Sequence, residues 1–409
     1  MDGVGWRVWR VVFVAALLGG WLAAQAPPRA PAESPPRDVN YDARKTERGY
    51  HGPGRDEPDP KGLSEVRIGY FGPADPKHPT GGSVWLGVSL AIEEANAGGG
   101  YKGLPFRLKP VWAENPWAGG VSSLARMAYE DRVWAVIGSI DGAATHLAEQ
   151  VAAKALFPLV DPASTDRSVN LANVPWMFSC LPEDRAIAAA LGEAALENAK
   201  DGFILLSATD HDSRALAAEF LAYFDQRKTR PLRHWQFQPG AAVIAELASQ
   251  AAESGAGTVI VLAGIEDSAA AARELKSRRP ALRLCGGPAM ARASFVARAG
   301  AAAEGAIVPL LVEPSAESDN FATKWRKRFS DWPDYAAMQG YDAAGLLVAA
   351  IRATGLNRAR VRDELQALSP WRGMAGEVRW DPVLRNARPV RLGIVQSGRA
   401  VPLSERPPR

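Results

Sequence analysis

From Glu65 onward the chain alternates short apolar runs with longer stretches in which apolar residues return every three or four positions. Val66–Phe71 is the first run, and in Ser83–Asn96 the residues Val84, Val88, Ile92 and Ala95 recur at helical spacing; the pattern predicts a strand followed by a helix. Gly98, Gly99 and Gly100 end that helix. Phe106–Ala113, Val133–Gly138 and Leu156–Asp161 read as further strands, with helical patterns over Val121–Glu130 and Ala143–Lys154 between them. A second series starts near Glu183: a helix to about Asn198, the strand Phe203–Ser207, a helix through Phe224, the strand Thr258–Ala263 and the helix Ser268–Lys276. Leu282–Cys285 and Ala306–Val312 continue the strands, Asn320–Phe329 and Tyr335–Ala353 are helical, and Glu377–Trp380 and Val390–Val395 close the series as strands. Such an order demands parallel sheets covered on both faces. The expected fold class is α/β, with two doubly wound parallel-sheet lobes. Ligands of such sheets bind beyond the carboxyl ends of the strands, so the cleft between two facing lobes is the expected site.

The first residues follow another logic. Arg7 and Arg10 precede the apolar run Val11–Leu18, and Ala23, Ala24 and Ala26 follow it, which is the order of an export signal. The run is about half of the ~20 residues that a spanning helix needs, so residues 1–26 are expected to be removed and the mature protein to be periplasmic or secreted. Residues 27–64 carry eight prolines and seven side chains of each charge, with Val39, Tyr41, Tyr50 and Leu63 as their large apolar groups. That composition cannot build a core, and a Pro-rich disordered linker is expected.

Composition removes several function classes. The 409 residues are 47% hydrophobic and 23% charged, enough for two cores of ordinary size. With 48 Lys and Arg against 45 Asp and Glu the net charge is +3, which gives no bulk field for nucleic acid; no nucleic-acid partner is expected. Cys180 and Cys285 are too few for a disulfide framework or a zinc cluster, and one bridge or two free thiols both fit.

Catalytic signatures are missing or misplaced. Gly98, Gly100 and Gly103 spell the dinucleotide fingerprint, but they follow a helix and precede a strand, the reverse of the turn that cradles pyrophosphate. The sequence has no phosphate-loop lysine motif, no Gly-x-Ser-x-Gly elbow and no histidine pair at helical spacing. His211, between Asp210 and Asp212, could serve as a general base held by a carboxylate, although a solvated loop accounts for it as well. No enzyme activity, cofactor or metal is expected.

Three loops at predicted strand ends are rich in small and hydroxyl residues: 72–83, Ser139–Thr145 and Pro162–Thr165. Where a helix follows, its free N–H groups and dipole favour an anion, and Ser or Thr hydroxyls complete a cradle; each loop taken singly also fits plain helix capping. At these residues the chain resembles the periplasmic amino-acid-binding receptors of branched-chain ABC transporters, within the wider class of extracellular receptors with three interlobe crossings, the type I periplasmic binding proteins. The likeness runs from Val66 to Gly398 and is carried by 68–73 (IGYFGP), 92–99 (IEEANAGG), 135–138 (AVIG), 157–165 (FPLVDPAST), 341–344 (YDAA) and 376–381 (GEVRWD).

The resemblance implies a first lobe of 66–181 plus 313–366, a second of 182–312 plus 367–398, and a tail of 399–409. It implies a ligand carboxylate bound by Gly142, Ala163 and Thr165, with Ser139, Ser164 and Thr80 beside them. Asp141 adds an acid there, and like charges repel at close range, so it points away, is protonated, or faces a cationic group. In the second lobe the family's ammonium-binding acid falls near Pro288 and its tyrosine near Gly264, neither of which supplies charge or ring. Glu266, Asp267 and Asp212 are the acids that could replace the lost one, and Trp85 and Trp117 could serve as apolar walls. The expected function is a solute receptor that captures a small amino acid, carboxylate or amide between its lobes and delivers it to an ABC transporter permease. A ligand-sensing module for a signalling or enzyme system and a cleft hydrolase using His211 are the alternatives.

Overall fold

The computed structural model describes residues 50–197, 201–240 and 243–403. The export signal and the start of the Pro-rich segment lie outside the described residues. None of the described helices is long and apolar enough to cross a membrane.

The first lobe begins with β1 (Val66–Phe71), α1 (Gly82–Ala97), β2 (Phe106–Val111), α2 (Pro116–Tyr129), β3 (Val136–Gly138), α3 (Gly142–Ala155), β4 (Leu159–Asp161) and β5 (Met177–Ser179). Its five strands pair in parallel in the order β2-β1-β3-β4-β5. The central strands β3 and β4 are buried at every position, whereas the edge strand β2 is buried mainly at Phe106. Burial on both faces is what makes the inner strands read as unbroken apolar runs.

After the first crossing come α4 (Asp184–Leu196), β6 (Phe203–Ala208), α5 (His211–Gln226), β7 (Arg233–Phe237), α6 (Val243–Glu253), β8 (Thr258–Leu262), α7 (Ile265–Arg278), β9 (Arg283–Gly286), α8 (Ala293–Ala299) and β10 (Ile307–Leu310). The chain then returns with α9 (Ala316–Phe329), α10 (Tyr335–Thr354), α11 (Arg358–Ala367) and the hairpin β11 (Trp371–Gly373) and β12 (Gly376–Val378), before β13 (Arg391–Gln396) and β14 (Arg399–Pro402). The second sheet has the order β14-β13-β10-β9-β8-β6-β7, parallel except at β13 and β14. Helices α1 and α10 pack through small residues: a Cβ on Gly87 would lie 2.0 Å from the Ala337 carbonyl oxygen, so the close approach depends on glycine.

Three expected boundaries move. Residues 50–64 do not behave as a free tether. Tyr50 is buried with its ring edge-on to Trp176 at 4.6 Å, Asn357 donates to the carbonyls of Gly54, Arg55 and Glu57, and Tyr101 donates to Asp59. The segment lacks apolar side chains but binds through carbonyls and ion pairs, which composition does not register. The third crossing falls near 387–390 rather than at 367, because Asp342 of α10 accepts from the Met374 and Ala375 N–H groups and Asn386 still bonds Ser179 at the edge of the first sheet. Residues 399–402 of the expected tail form β14. Both cysteines are buried, free thiols.

Candidate functional site

The carboxyl ends of β1, β3 and β4 face those of β6, β8 and β9 across a cavity of about 290 Å³. The first lobe contributes Thr80, Ile140, Asp141, Ala143, Ala163, Thr165 and Tyr335. The second contributes Asp184, Asp210, His211, Asp212 and Ser213 from the starts of α4 and α5, Gly264 and Ile265 after β8, and Pro288, Ala289 and Arg292 after β9.

Helix starts place most of the charge. Asp141 precedes α3 and accepts from the Ala144 N–H at 2.8 Å, and Asp210 precedes α5 and accepts from the Ser213 N–H at 3.0 Å. These are ordinary N-caps, each occupying one carboxylate oxygen. Asp212, in the first turn of α5, reaches across the cleft, where the Gly142 N–H donates to its two oxygens at 3.1 and 3.0 Å. The anion favoured at the start of α3 is thus a side chain from the opposite lobe. Thr165 Oγ1 donates to Asp184 Oδ1 at 2.6 Å, and the Ala163 N–H donates to Asp161 Oδ1 at 2.9 Å. All three groups expected to hold a ligand carboxylate therefore hold protein carboxylates.

Two further contacts bridge the lobes. His211 Nε2 lies 2.6 Å from Asp166 Oδ2, and Arg292 Nε donates to Asp334 Oδ2 at 2.9 Å while the same guanidinium reaches the Thr80 carbonyl and Ser83 Oγ. Burial, reinforced by the neighbouring Asp141, pushes the Asp212 carboxyl well above the ordinary carboxylate range. Burial likewise raises Asp184 and Asp141.

The remaining expected residues divide. Thr80, Asp141, Ala163, Thr165, Asp212, Gly264 and Pro288 line the cavity, and Gly142 adjoins it through its N–H. Ser139 and Ser164 are buried behind the wall, where the Ser139 hydroxyl donates to the Phe71 carbonyl and Ser164 Oγ accepts from the Asp166 N–H. Glu266 turns outward to an ion pair with Arg298, because the first turn of α7 presents it to solvent. Asp267 accepts from the Gly240 N–H. Trp85 packs on Tyr70 and Trp117 is exposed, so neither ring is a wall. The acid on His211 is Asp166 of the other lobe, since Asp210 and Asp212 are engaged at helix starts. Asp166, His211 and Asp212 offer three ligand atoms within 4.8 Å of one another. Sequence reasoning missed Asp184, Tyr335 and Arg292; a cluster of aspartates at 161, 166, 184, 210 and 212 was the available signal for the first.

Gly142 has no room for a side chain: a Cβ there would sit 2.5 Å from Asp212 Oδ1 and 2.6 Å from Asp166 Cβ. Gly142→Ala is expected to cost the closed arrangement about 1–3 kcal/mol by overpacking and to increase the radius of gyration in solution scattering. An unchanged scattering profile would contradict this role for Gly142.

Residues 65–399 match the family model described as periplasmic binding protein. The chain belongs to the periplasmic binding protein family. No curated protein matches it. Among solved structures, it is similar to LivJ, the branched-chain amino acid transporter substrate-binding protein of Streptococcus pneumoniae in complex with isoleucine, with 18% identity, a TM-score of 0.75, and coverage of 82% of this chain and 97% of that one. The leucine-binding protein LivK of Thermotoga maritima gives 19% identity, a TM-score of 0.74 and coverage of 83% and 98%. An ABC transporter solute-binding protein of R. palustris in complex with benzoate gives 17% identity, a TM-score of 0.74 and coverage of 83% and 95%. These structures share the two-lobed α/β fold, and each is named as a binding protein.

Proposed function

We propose that this member of the family is an extracytoplasmic solute receptor: a small ligand enters the open cleft, the lobes close over it, and a membrane permease of an ABC transporter recognises the closed form. The observation that carries this reading is the cavity of about 290 Å³ at facing strand ends, lined from both lobes. Its size is close to the lower end of ordinary ligand cavities, ~300–1,000 Å³. A ligand shifts the open–closed equilibrium only by its difference in affinity for the two forms, and contacts from both lobes provide that difference. The imidazole of His211 is held by Asp166, and both thiols are fully buried, so the hydrolase alternative gains no nucleophile from the cysteines.

A thermal-shift screen of amino acids, amines, amides and small acids tests the reading. A true ligand at a hundredfold excess over its Kd is expected to add about 2.7 kcal/mol to stability. Ala163→Trp, which fills the cavity, is expected to abolish the shift. A shift that survives Ala163→Trp would move binding out of the cleft and overturn the proposal.

A further inference from the structure

The charges around the cavity do not balance. Asp141, Asp184, Asp210 and Asp212 line it, while the two bases among them are already paired, Arg292 with Asp334 and His211 with Asp166. A carboxylate ligand would add a fifth acid at close range. It would also find Gly142, Ala163 and Thr165 donating to Asp212, Asp161 and Asp184.

Asp184 is the telling residue. Its side chain is in a residue only 2% exposed, yet it lines the cavity, and its Oδ1 alone accepts a hydrogen bond among the described residues. Its other oxygen has no donor among the described residues and can accept from a cationic group in the cavity. Beside Thr80, Thr165, Ser213 and Tyr335 the wall also carries apolar side chains, Ile140, Leu216, Leu262 and Ile265. A bare metal ion would leave that apolar surface uncovered, whereas the carbon skeleton of an organic ligand would cover it.

Resting on the receptor reading above, we propose that the ligand is a small organic cation, an amine or guanidinium compound with no carboxylate docked on α3, whose positive group is held by Asp184 and Asp212. Charge-assisted hydrogen bonds of this kind are roughly twice as strong as neutral ones. Burial holds both carboxyls well above their ordinary range, and a bound cation would draw them down.

Calorimetric titration of the full chain with putrescine, agmatine and ethanolamine, and separately with leucine, benzoate, Mg²⁺ and Zn²⁺, tests the proposal. At least one of the three organic cations is expected to bind, with affinity reduced about tenfold or more in Asp184→Asn and in Asp212→Asn. Each substitution removes one of several like charges, so both variants are expected to melt no lower than the parent. Binding of leucine or benzoate that Ala163→Trp abolishes would overturn the cation and leave the receptor reading standing. Binding of a divalent ion without any organic cation, an affinity unchanged in both Asn variants, or silence with all three organic cations would also overturn it. Silence with every compound would count against the receptor reading as well.

Discussion

Arg292→Met is expected to lower the unfolding free energy by about 3–5 kcal/mol, the range for removing one partner of a buried ion pair. Arg292 and Asp334 are 4% and 3% exposed at their side chains, and Nε lies 2.9 Å from Oδ2. The guanidinium also stacks over Tyr335 and donates to Ser83 Oγ. Without it Asp334 would keep its bonds from Ser83 Oγ and the Ala293 and Ala337 N–H groups, which do not neutralise a charge removed from water. An exposed pair such as Arg126 and Glu130, 66% and 73% exposed, should by contrast contribute ~0–1 kcal/mol. Because Arg292 follows β9 in the second lobe and Asp334 precedes α10 in the first, its loss should also loosen the closed cleft. Urea unfolding provides the measurement: the midpoint should fall in Arg292→Met and recover largely in Arg292→Met with Asp334→Asn. A single variant that loses no more than the exposed pair does would show that the guanidinium is not the counter-charge of Asp334.

The inner strands were legible because both of their faces are covered. Ile68, Val136, Val160, Leu205 and Ile260 are all fully buried, so their neighbours in sequence form unbroken apolar runs that pattern reading detects. Strand β7 escaped it for the opposite reason. Its sequence RHWQF lies at a sheet edge and is buried only at Phe237, and a half-exposed polar strand gives no signal of its own. Helix α11, RARVRDELQA, was missed because only Ala359, Val361, Arg362 and Leu365 turn inward, one of them charged. The strands β5 and β11 have three residues each, fewer than a periodic pattern needs, while β12 overlaps the expected strand Glu377–Trp380.

The site was legible as loops and illegible as pairings. Strand ends and hydroxyl-rich turns pointed to Thr80, Asp141, Ala163 and Thr165, all of which line the cavity. Which groups those donors serve depends on contacts 70 residues apart for Gly142 and Asp212 and 19 apart for Thr165 and Asp184. A carboxylate cradle therefore looked open in sequence while two acids of the facing lobe filled it. Glu266 failed as a candidate because helix rotation, which strand-end counting ignores, turned it to Arg298.

The apo protein is expected to be more stable near pH 5.5 than at pH 8, by a few kcal/mol in total. Burial raises Glu149 and Asp342 to about 7, and it pushes Asp161, Asp184 and Asp212 well above the ordinary range. Unfolded, these groups would titrate near 4. Above pH ~4 the native state holds more protons than the unfolded state, so their contribution is fully present below pH ~4 and is lost as pH rises, through about 7 for Glu149 and Asp342. For Asp342 the opposing influences are the Met374 and Ala375 N–H donors and Arg388; for Glu149 they are the Asn170 N–H and Arg385, with Asp166 pushing the other way. Desolvation exceeds them in both cases. Paired acids such as Glu65 and Glu94, drawn down by Arg67 and by Lys324 with Tyr341, act with the opposite sign and lose their contribution below pH ~4.5. The two sets together place the optimum in mild acid. Urea unfolding at pH 5.5 and 8 measures the difference, which Asp342→Asn should reduce by removing one titrating group. Stability that is level or rising between those two pH values would mean that the buried acids are ionised at no cost, and the account of the cleft as a cluster of acids short of a counter-charge would lose its electrostatic basis.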